Sequence, residues 1–160
     1  MPALEDGDFK LYESRAIARY VNETRGGKLT PSDPKKRAVM EQWISLEQGT
    51  ITPEFATIVF QRVFAPKFGM TTDEAAVKAA ADKAALGLDV LEAHLAKNEY
   101  LAGDEFSLAD VFFIPYFALT LYTPEATLIT SRPHIDAWFK KITARPSWAK
   151  VQTYNEFAKQ

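Results

Sequence analysis

Residues 107–121 read Ser-Leu-Ala-Asp-Val-Phe-Phe-Ile-Pro-Tyr-Phe-Ala-Leu-Thr-Leu, a run of helix length with no polar face. A helix that is apolar on every side is stable in water only when other elements surround it. The start of this one is specified locally. Ser107 is placed as an N-cap and Asp110 at the third helical position, the spacing of a capping box, and Phe106 and Val111 are placed as a hydrophobic staple. The most apolar stretch, Val111 to Leu119, has about half the length that a membrane span needs. The segment is therefore expected to be the buried centre of a domain.

The surrounding sequence offers helices and no convincing strand beyond the residues 28–34. Asp33 and Pro34 form an N-cap and a first helical residue, followed by a long helical pattern carrying Val39, Trp43, Leu46, Phe55, Ile58, Val59 and Val63. Pro53 lies inside that pattern and is expected to kink or break it. Thr71 to Glu74 has capping-box spacing ahead of Val77, Ala81, Ala84, Leu88, Leu91 and Leu95, one apolar stripe. Gly87 sits within this helix and is expected to admit a close neighbour. Pro133 opens a helix with Ile135, Trp138, Phe139 and Ile142 inward, and Pro146 opens another with Trp148, Val151 and Tyr154 inward.

The first residues differ. Ala3 to Glu5 and Phe9 to Tyr12 read as two short strands, with Asp6-Gly7 suited to a type I′ turn. A helix then begins at Glu13-Ser14, carries Ile17, Ala18, Tyr20 and Val21, and ends at Gly26-Gly27. A lone two-stranded hairpin is marginal in water. Its apolar side chains need more sheet than the rest of the sequence provides.

Composition narrows the function classes. With 160 residues, 47% apolar and 25% charged, the chain is long and apolar enough for one core. A net charge of −2 with interleaved signs gives no basic stripe for nucleic acid or anionic lipid. The absence of cysteine excludes disulfides and a thiol nucleophile within these residues, and the wide separation of the two histidines argues against a histidine-based metal centre. No secretory signal is apparent, so a cytoplasmic location is expected.

Three motifs in order carry a family resemblance. Met1 to Asp8 running into Tyr12-Glu13-Ser14-Arg15-Ala16-Ile17, then Leu101-Ala102-Gly103-Asp104 with Ser107-Leu108-Ala109-Asp110, then Arg132-Pro133 … Trp138 … Ile142 … Arg145-Pro146, resemble a glutathione transferase. Phe68 to Ala75 and the Ile114-Pro115 … Thr123-Pro124 spacing are most similar to its phi class. The resemblance implies a mostly α fold. Residues 1–27 would be the hairpin and last helix of a thioredoxin-like domain lacking its first β-α-β-α part, 28–34 a linker, and 35–160 the all-helical C-terminal domain.

The resemblance also implies a function: detoxifying conjugation of the glutathione thiolate to a hydrophobic electrophile, with glutathione as co-substrate, no bound cofactor or metal, and a homodimer as the working assembly. Glutathione would be bound by Met1, by Pro2 at the family's cis-proline position, and by Glu13 and Ser14, with Arg15 assisting. On physical grounds alone, a helix N-terminus attracts a carboxylate, Ser14 adds a donor, and Glu13 can pair with an ammonium group. The plainer readings are that Ser14 caps its helix, that Arg15 is ion-paired, and that His94 and His134 are surface residues. Val63, Phe64, Phe112, Tyr116 and Leu119 are the candidates for the electrophile's apolar surface, or else plain core. The serine that lowers the thiol's pKa in this class is expected upstream of Met1, so no catalytic residue is assigned within the chain. Two alternatives remain: a non-catalytic interaction domain of the kind found in elongation factor 1B gamma, and a small-ligand carrier.

Overall fold

The computed structural model describes residues 2–151; Met1 and Tyr154, both singled out above, lie outside the described residues. Strand β1 (Ala3–Asp6) pairs antiparallel with β2 (Phe9–Tyr12), with Leu4 opposite Leu11 and Asp6 opposite Phe9. The loop is therefore Gly7-Asp8, and of these two only Gly7 has a positive φ, 61°. That is the glycine-first pattern of a type II′ turn rather than the expected I′. Helix α1 (Ser14–Thr24) lies on the face shared by Asp6 and Phe9: the Tyr20 hydroxyl donates to Asp6 at 2.7 Å and its ring lies 5.1 Å from Phe9. None of the α1 side chains is fully buried, and Val21, expected inward, is exposed.

The linker is tied at both ends. The Asn22 side chain accepts from the Leu29 N–H at 3.0 Å and donates to Thr30 at 3.0 Å. The Leu29 carbonyl accepts the Leu108 N–H at 2.9 Å, which joins the linker to the start of the central helix.

Helix α2 (Pro34–Leu46) begins as expected, with Asp33 accepting the Lys36 N–H at 2.8 Å. Pro53 does not break the helical path. Residues Glu47–Ile51 form a wider π-type turn, closed by the Thr52 N–H on the Glu47 carbonyl, and lead directly into α3 (Thr52–Val59). A second such turn, Phe60–Phe64, precedes Pro66 and the short α4 (Ala65–Lys67). The wide turn leaves room for a ring that an α turn would strike against the preceding carbonyl.

Helix α5 (Glu74–Leu95) is capped by Asp73, which accepts the Ala76 N–H at 2.9 Å, and not by Thr71. Its buried stripe holds Val77, Ala84, Leu88, Leu91 and Leu95 as expected, with Ala80 and Gly87 added, while Ala81 is only half-buried. A Cβ at Gly87 would lie 2.5 Å from the Ile51 Cδ1, so the missing side chain is what admits the first π turn.

Helix α6 (Leu108–Thr120) is the centre of the bundle. The capping box is present, and Asp110, fully buried, also joins three segments. It accepts the Ser107 N–H at 2.8 Å, the Ser107 hydroxyl at 2.9 Å, the Leu101 N–H at 3.0 Å and the Trp138 indole N–H at 2.9 Å. Burial pushes its carboxyl above the ordinary value, against the pull of those donors. Helix α7 (Thr127–Thr130), which the sequence pattern did not reveal, buries Ile129. In α8 (Pro133–Thr143) Ile135, Trp138, Phe139 and Ile142 all point inward as expected. The rings of Phe113, Phe117, Trp138 and Phe139 interlock with centroids 5.6–6.5 Å apart.

Two further expectations are corrected. The last amphipathic helix is only α9 (Pro146–Ala149), with Trp148 half-buried and Val151 exposed. His94 is half-buried rather than freely exposed: its ring packs 4.6 Å from Trp43 and its Nε2 lies 3.3 Å from the Tyr100 carbonyl. His134 is exposed, as expected, and meets Glu92 at 2.7 Å. No helix among the described residues is long and apolar enough to cross a membrane.

Candidate functional site

The start of α1 has an unusual backbone. Glu13 precedes the helix with φ 73° and ψ 112°, the single non-glycine residue at positive φ among the described residues. Such a conformation costs about 1–3 kcal/mol and persists only where its surroundings impose it. Ser14 is the first helical residue rather than the cap, and no side chain caps the helix. The N–H groups of the first turn therefore face outward with their partial positive charge, beside the exposed Glu13 carboxylate and Ser14 hydroxyl. The hairpin ladder ends at Ala3 opposite Tyr12, which leaves Pro2 and Glu13 each one residue beyond its last pair. The Met1–Pro2 bond itself lies outside the described residues.

Arg15 turns away from this opening and into the bundle. Its Nε and Nη2 donate to the Glu47 carboxylate at 2.9 and 2.7 Å, and Thr52 donates its hydroxyl to the same carboxylate. Glu47 is 1% exposed and sits in the first π turn. A buried carboxylate needs such a partner. Arg19 adds a more exposed pair with Glu41, and the guanidinium carbons of Arg15 and Arg19 lie 5.7 and 5.9 Å from the Phe112 ring centroid. The strained entry to α1 is thus anchored on α2, the π turn and α6 together. Glu47 was missed in the sequence, where nothing linked position 47 to position 15.

On α6 the candidates Phe112, Tyr116 and Leu119 fall on one half-buried stripe, apart from the core-facing Phe113 and Phe117. Phe112 meets α1. Val63 and Phe64 lie on the second π turn, at the end of the helix that packs along α6; Val63 is 7% exposed and Phe64 half-buried. That turn is fixed by Arg62, which donates to Glu125 at 2.7 Å and to Glu74 at 2.6 Å, and by the Gln61 side chain, which accepts the Asp73 N–H at 2.9 Å. The hydrogen bonds it donates to both carboxylates hold the pKa of the Arg62 guanidinium well above its ordinary value. Phe60 and Phe68 continue the four-residue spacing through Phe64 and are 41% and 72% exposed. Their periodicity was legible in the sequence, though their exposure was not. Among the described residues no group of three or more histidine or acidic side chains could hold a metal ion.

A hairpin and helix with an open, uncapped start, docked on an all-helical bundle, are the parts that the resemblance implied, and the comparisons with known proteins agree. The model of the Glutathione S-transferase C-terminal domain matches residues 51–146, and that of the N-terminal domain matches residues 1–23. The chain belongs to the glutathione S-transferase family, and plant enzymes of the phi class are among its relatives. It is 42% identical over 159 residues to a glutathione S-transferase of Hyoscyamus muticus, covering 98% of this chain and 75% of that protein. It is 42% identical to glutathione S-transferase F10 of Arabidopsis thaliana over 94% of this chain and 72% of the relative. Among solved structures, glutathione transferase F7 of Populus trichocarpa superposes with a TM-score of 0.90 at 37% identity, over 94% of this chain and 73% of that one. Glutathione S-transferase I of maize, solved with an atrazine glutathione conjugate, superposes with a TM-score of 0.89 at 38% identity, over 94% and 71%.

Proposed function

We propose that this chain serves glutathione conjugation to a hydrophobic electrophile. The observation that carries this reading is the open start of α1, where the strained Glu13 precedes Ser14 and no side chain caps the helix. In it, the N–H groups of the first turn and the Ser14 hydroxyl receive the γ-glutamyl carboxylate, and the Glu13 carboxylate pairs with the ammonium group. The strain at Glu13 aims both groups at the same ligand end. Arg15, occupied by Glu47, acts as a positioning residue and does not touch the tripeptide. The electrophile lies along Phe64, Tyr116 and Leu119, with Phe112 joining that surface to α1. Val63, being buried, supports it from behind.

Attack by glutathione sulfur forms a carbon–sulfur bond and expels the electrophile's leaving group, and the step needs a hydrogen-bond donor that favours the thiolate. Ser14 serves the other end of the tripeptide, and Ser45 donates to the Glu41 carbonyl at 2.9 Å on α2. Neither supplies that donor. Turnover therefore requires a hydroxyl other than those of Ser14 and Ser45. A homodimer in the cytoplasm is the proposed working form.

The test combines retention on immobilised glutathione with conjugation of 1-chloro-2,4-dinitrobenzene by the 160-residue protein. Weak retention without conjugation is expected, and retention should fall in Ser14→Ala. Rapid turnover would refute the assignment of the donor. Absence of any retention would favour a non-catalytic interaction domain.

A further inference from the structure

The second π turn, Phe60–Phe64, is fastened on one side and carries aromatic rings on the other. Arg62 stands two residues from both Phe60 and Phe64, so its side chain leaves the helix opposite theirs. There its guanidinium meets carboxylates from two other elements. Nε and Nη2 donate to Glu125, in the single turn Pro124–Ala126 that follows α6, at 3.0 and 2.7 Å. Nη1 and Nη2 donate to Glu74, the first residue of α5, at 2.6 and 2.9 Å. The side chains of Arg62 and Glu125 are 19% and 12% exposed, so this pair is less screened by water and salt than an open surface pair. Gln61 adds a second fastening: its carbonyl accepts the Thr72 hydroxyl at 3.0 Å and its side chain the Asp73 N–H at 2.9 Å. Helices α3, α5 and α7 also share a small apolar cluster of Ile58, Val77 and Ala80, with Leu128 packed against it.

We infer that Arg62 is a positioning residue that sets specificity: by tying the second π turn to α5 and to the turn after α6, it fixes Phe60 and Phe64 relative to Tyr116 and Leu119 and so selects electrophiles with a flat ring. This rests on the electrophile surface proposed above. A π turn has a weak intrinsic preference, and such turns occur often at functional sites. Pro66 calls for the wider turn, but a proline ring does not decide how far the turn swings toward α6. The two carboxylates do, because a planar guanidinium engaged along both edges fixes direction as well as distance. An aromatic side chain turns about two bonds only, so a shift of its backbone carries the ring face with it. Phe60 is 41% exposed, a ring held at the surface outside the core. Arg62 points away from that surface and acts through the two phenylalanines.

The probes are S-methyl-, S-benzyl- and S-hexylglutathione, titrated into the ¹⁵N-labelled 160-residue protein. In the unmodified protein the benzyl compound should bind about tenfold tighter than the methyl compound, the gain from burying part of one ring. In Arg62→Ala the benzyl affinity should fall about fivefold, the scale of a lost ring–ring contact, while the methyl affinity stays unchanged. The hexyl compound, whose chain adapts its shape, should lose less. Arg62→Lys should restore only part of the benzyl preference, since one ammonium cannot engage both carboxylates along two edges. Glu125→Gln keeps Arg62 on Glu74 and should give an intermediate loss. Far-ultraviolet circular dichroism and melting temperature establish that each variant is folded. A purely structural role for Arg62 would lower all three affinities together or none of them, and either result overturns the inference. An unmodified protein with no preference for the benzyl over the methyl compound would instead remove the electrophile surface itself, and this inference with it.

Discussion

The centre of the bundle and the N-terminal hairpin with α1 are held by different forces. Around α6, cohesion comes from buried aromatic and aliphatic side chains arranged about one carboxylate, Asp110, whose acceptors are filled from three segments. In α1 no side chain is fully buried, and the segment is fastened by Arg15 on Glu47, Arg19 on Glu41 and two cations over Phe112. Burial of apolar area is cooperative and insensitive to salt, whereas partly exposed ion pairs are screened and contribute less. The part carrying the proposed ligand site is thus the part with the smaller local stability, the usual arrangement for a binding element.

The sharpest way to break this contrast is Asp110→Ala. It strands two N–H donors and the Trp138 indole in the core and should cost about 4 kcal/mol, lowering the melting transition of the whole protein. Arg15→Ala should cost about 2 kcal/mol, because it leaves the Glu47 carboxylate buried with Thr52 alone. Its effect should appear chiefly as faster amide hydrogen exchange in α1, and adding Glu47→Gln should recover part of the loss, which a double-mutant cycle measures. If Arg15→Ala instead lowered the global transition as much as Asp110→Ala, the two regions would be one cooperative unit.

Gly87→Ala sets helix propensity against packing. Alanine favours the helix by about 1 kcal/mol, but its methyl would press on Ile51 at the first π turn, and overpacking costs about 1–3 kcal/mol. A net loss of about 1 kcal/mol by denaturant unfolding is expected. The smallest effect concerns Glu92, which accepts the His134 and Ile135 N–H groups at 3.0 and 2.9 Å. Burial would raise its carboxyl, but those donors and the His134 ring outweigh it and hold the pKa below the ordinary value. The contribution is therefore present above the unfolded pKa and is lost as pH falls through the folded one. Glu92→Gln should flatten the loss of melting temperature below about pH 4, in a bundle contact that leaves α1 untouched.

The bundle was the more legible region in the sequence, for the same physical reason that it is the more stable. Capping residues and apolar periodicity are local signals, so the α6 cap, the α5 stripe and the four inward residues of α8 could be read directly. The π turns before Pro53 and Pro66 were not legible, since one residue of extra helical winding leaves the pattern around it intact. The candidate site was half legible. Glu13-Ser14 and Pro2 stood out through resemblance, and Pro2 and Glu13 each lie one residue past the last pair of the hairpin. The positive φ of Glu13 and the pairing of Arg15 with Glu47 depend on contacts between segments distant in the chain, which no local pattern encodes.

The most direct measurement is an NMR titration of the ¹⁵N-labelled protein with S-methylglutathione, following backbone amides at millimolar ligand. Shifts concentrated at Ser14, Arg15 and Ala16 and at neighbouring Ala3, diminished in Ser14→Ala and absent from the Trp148 side of α6, are expected. Shifts confined to the bundle, or none at the start of α1, would contradict the assignment of that helix start as the glutathione subsite.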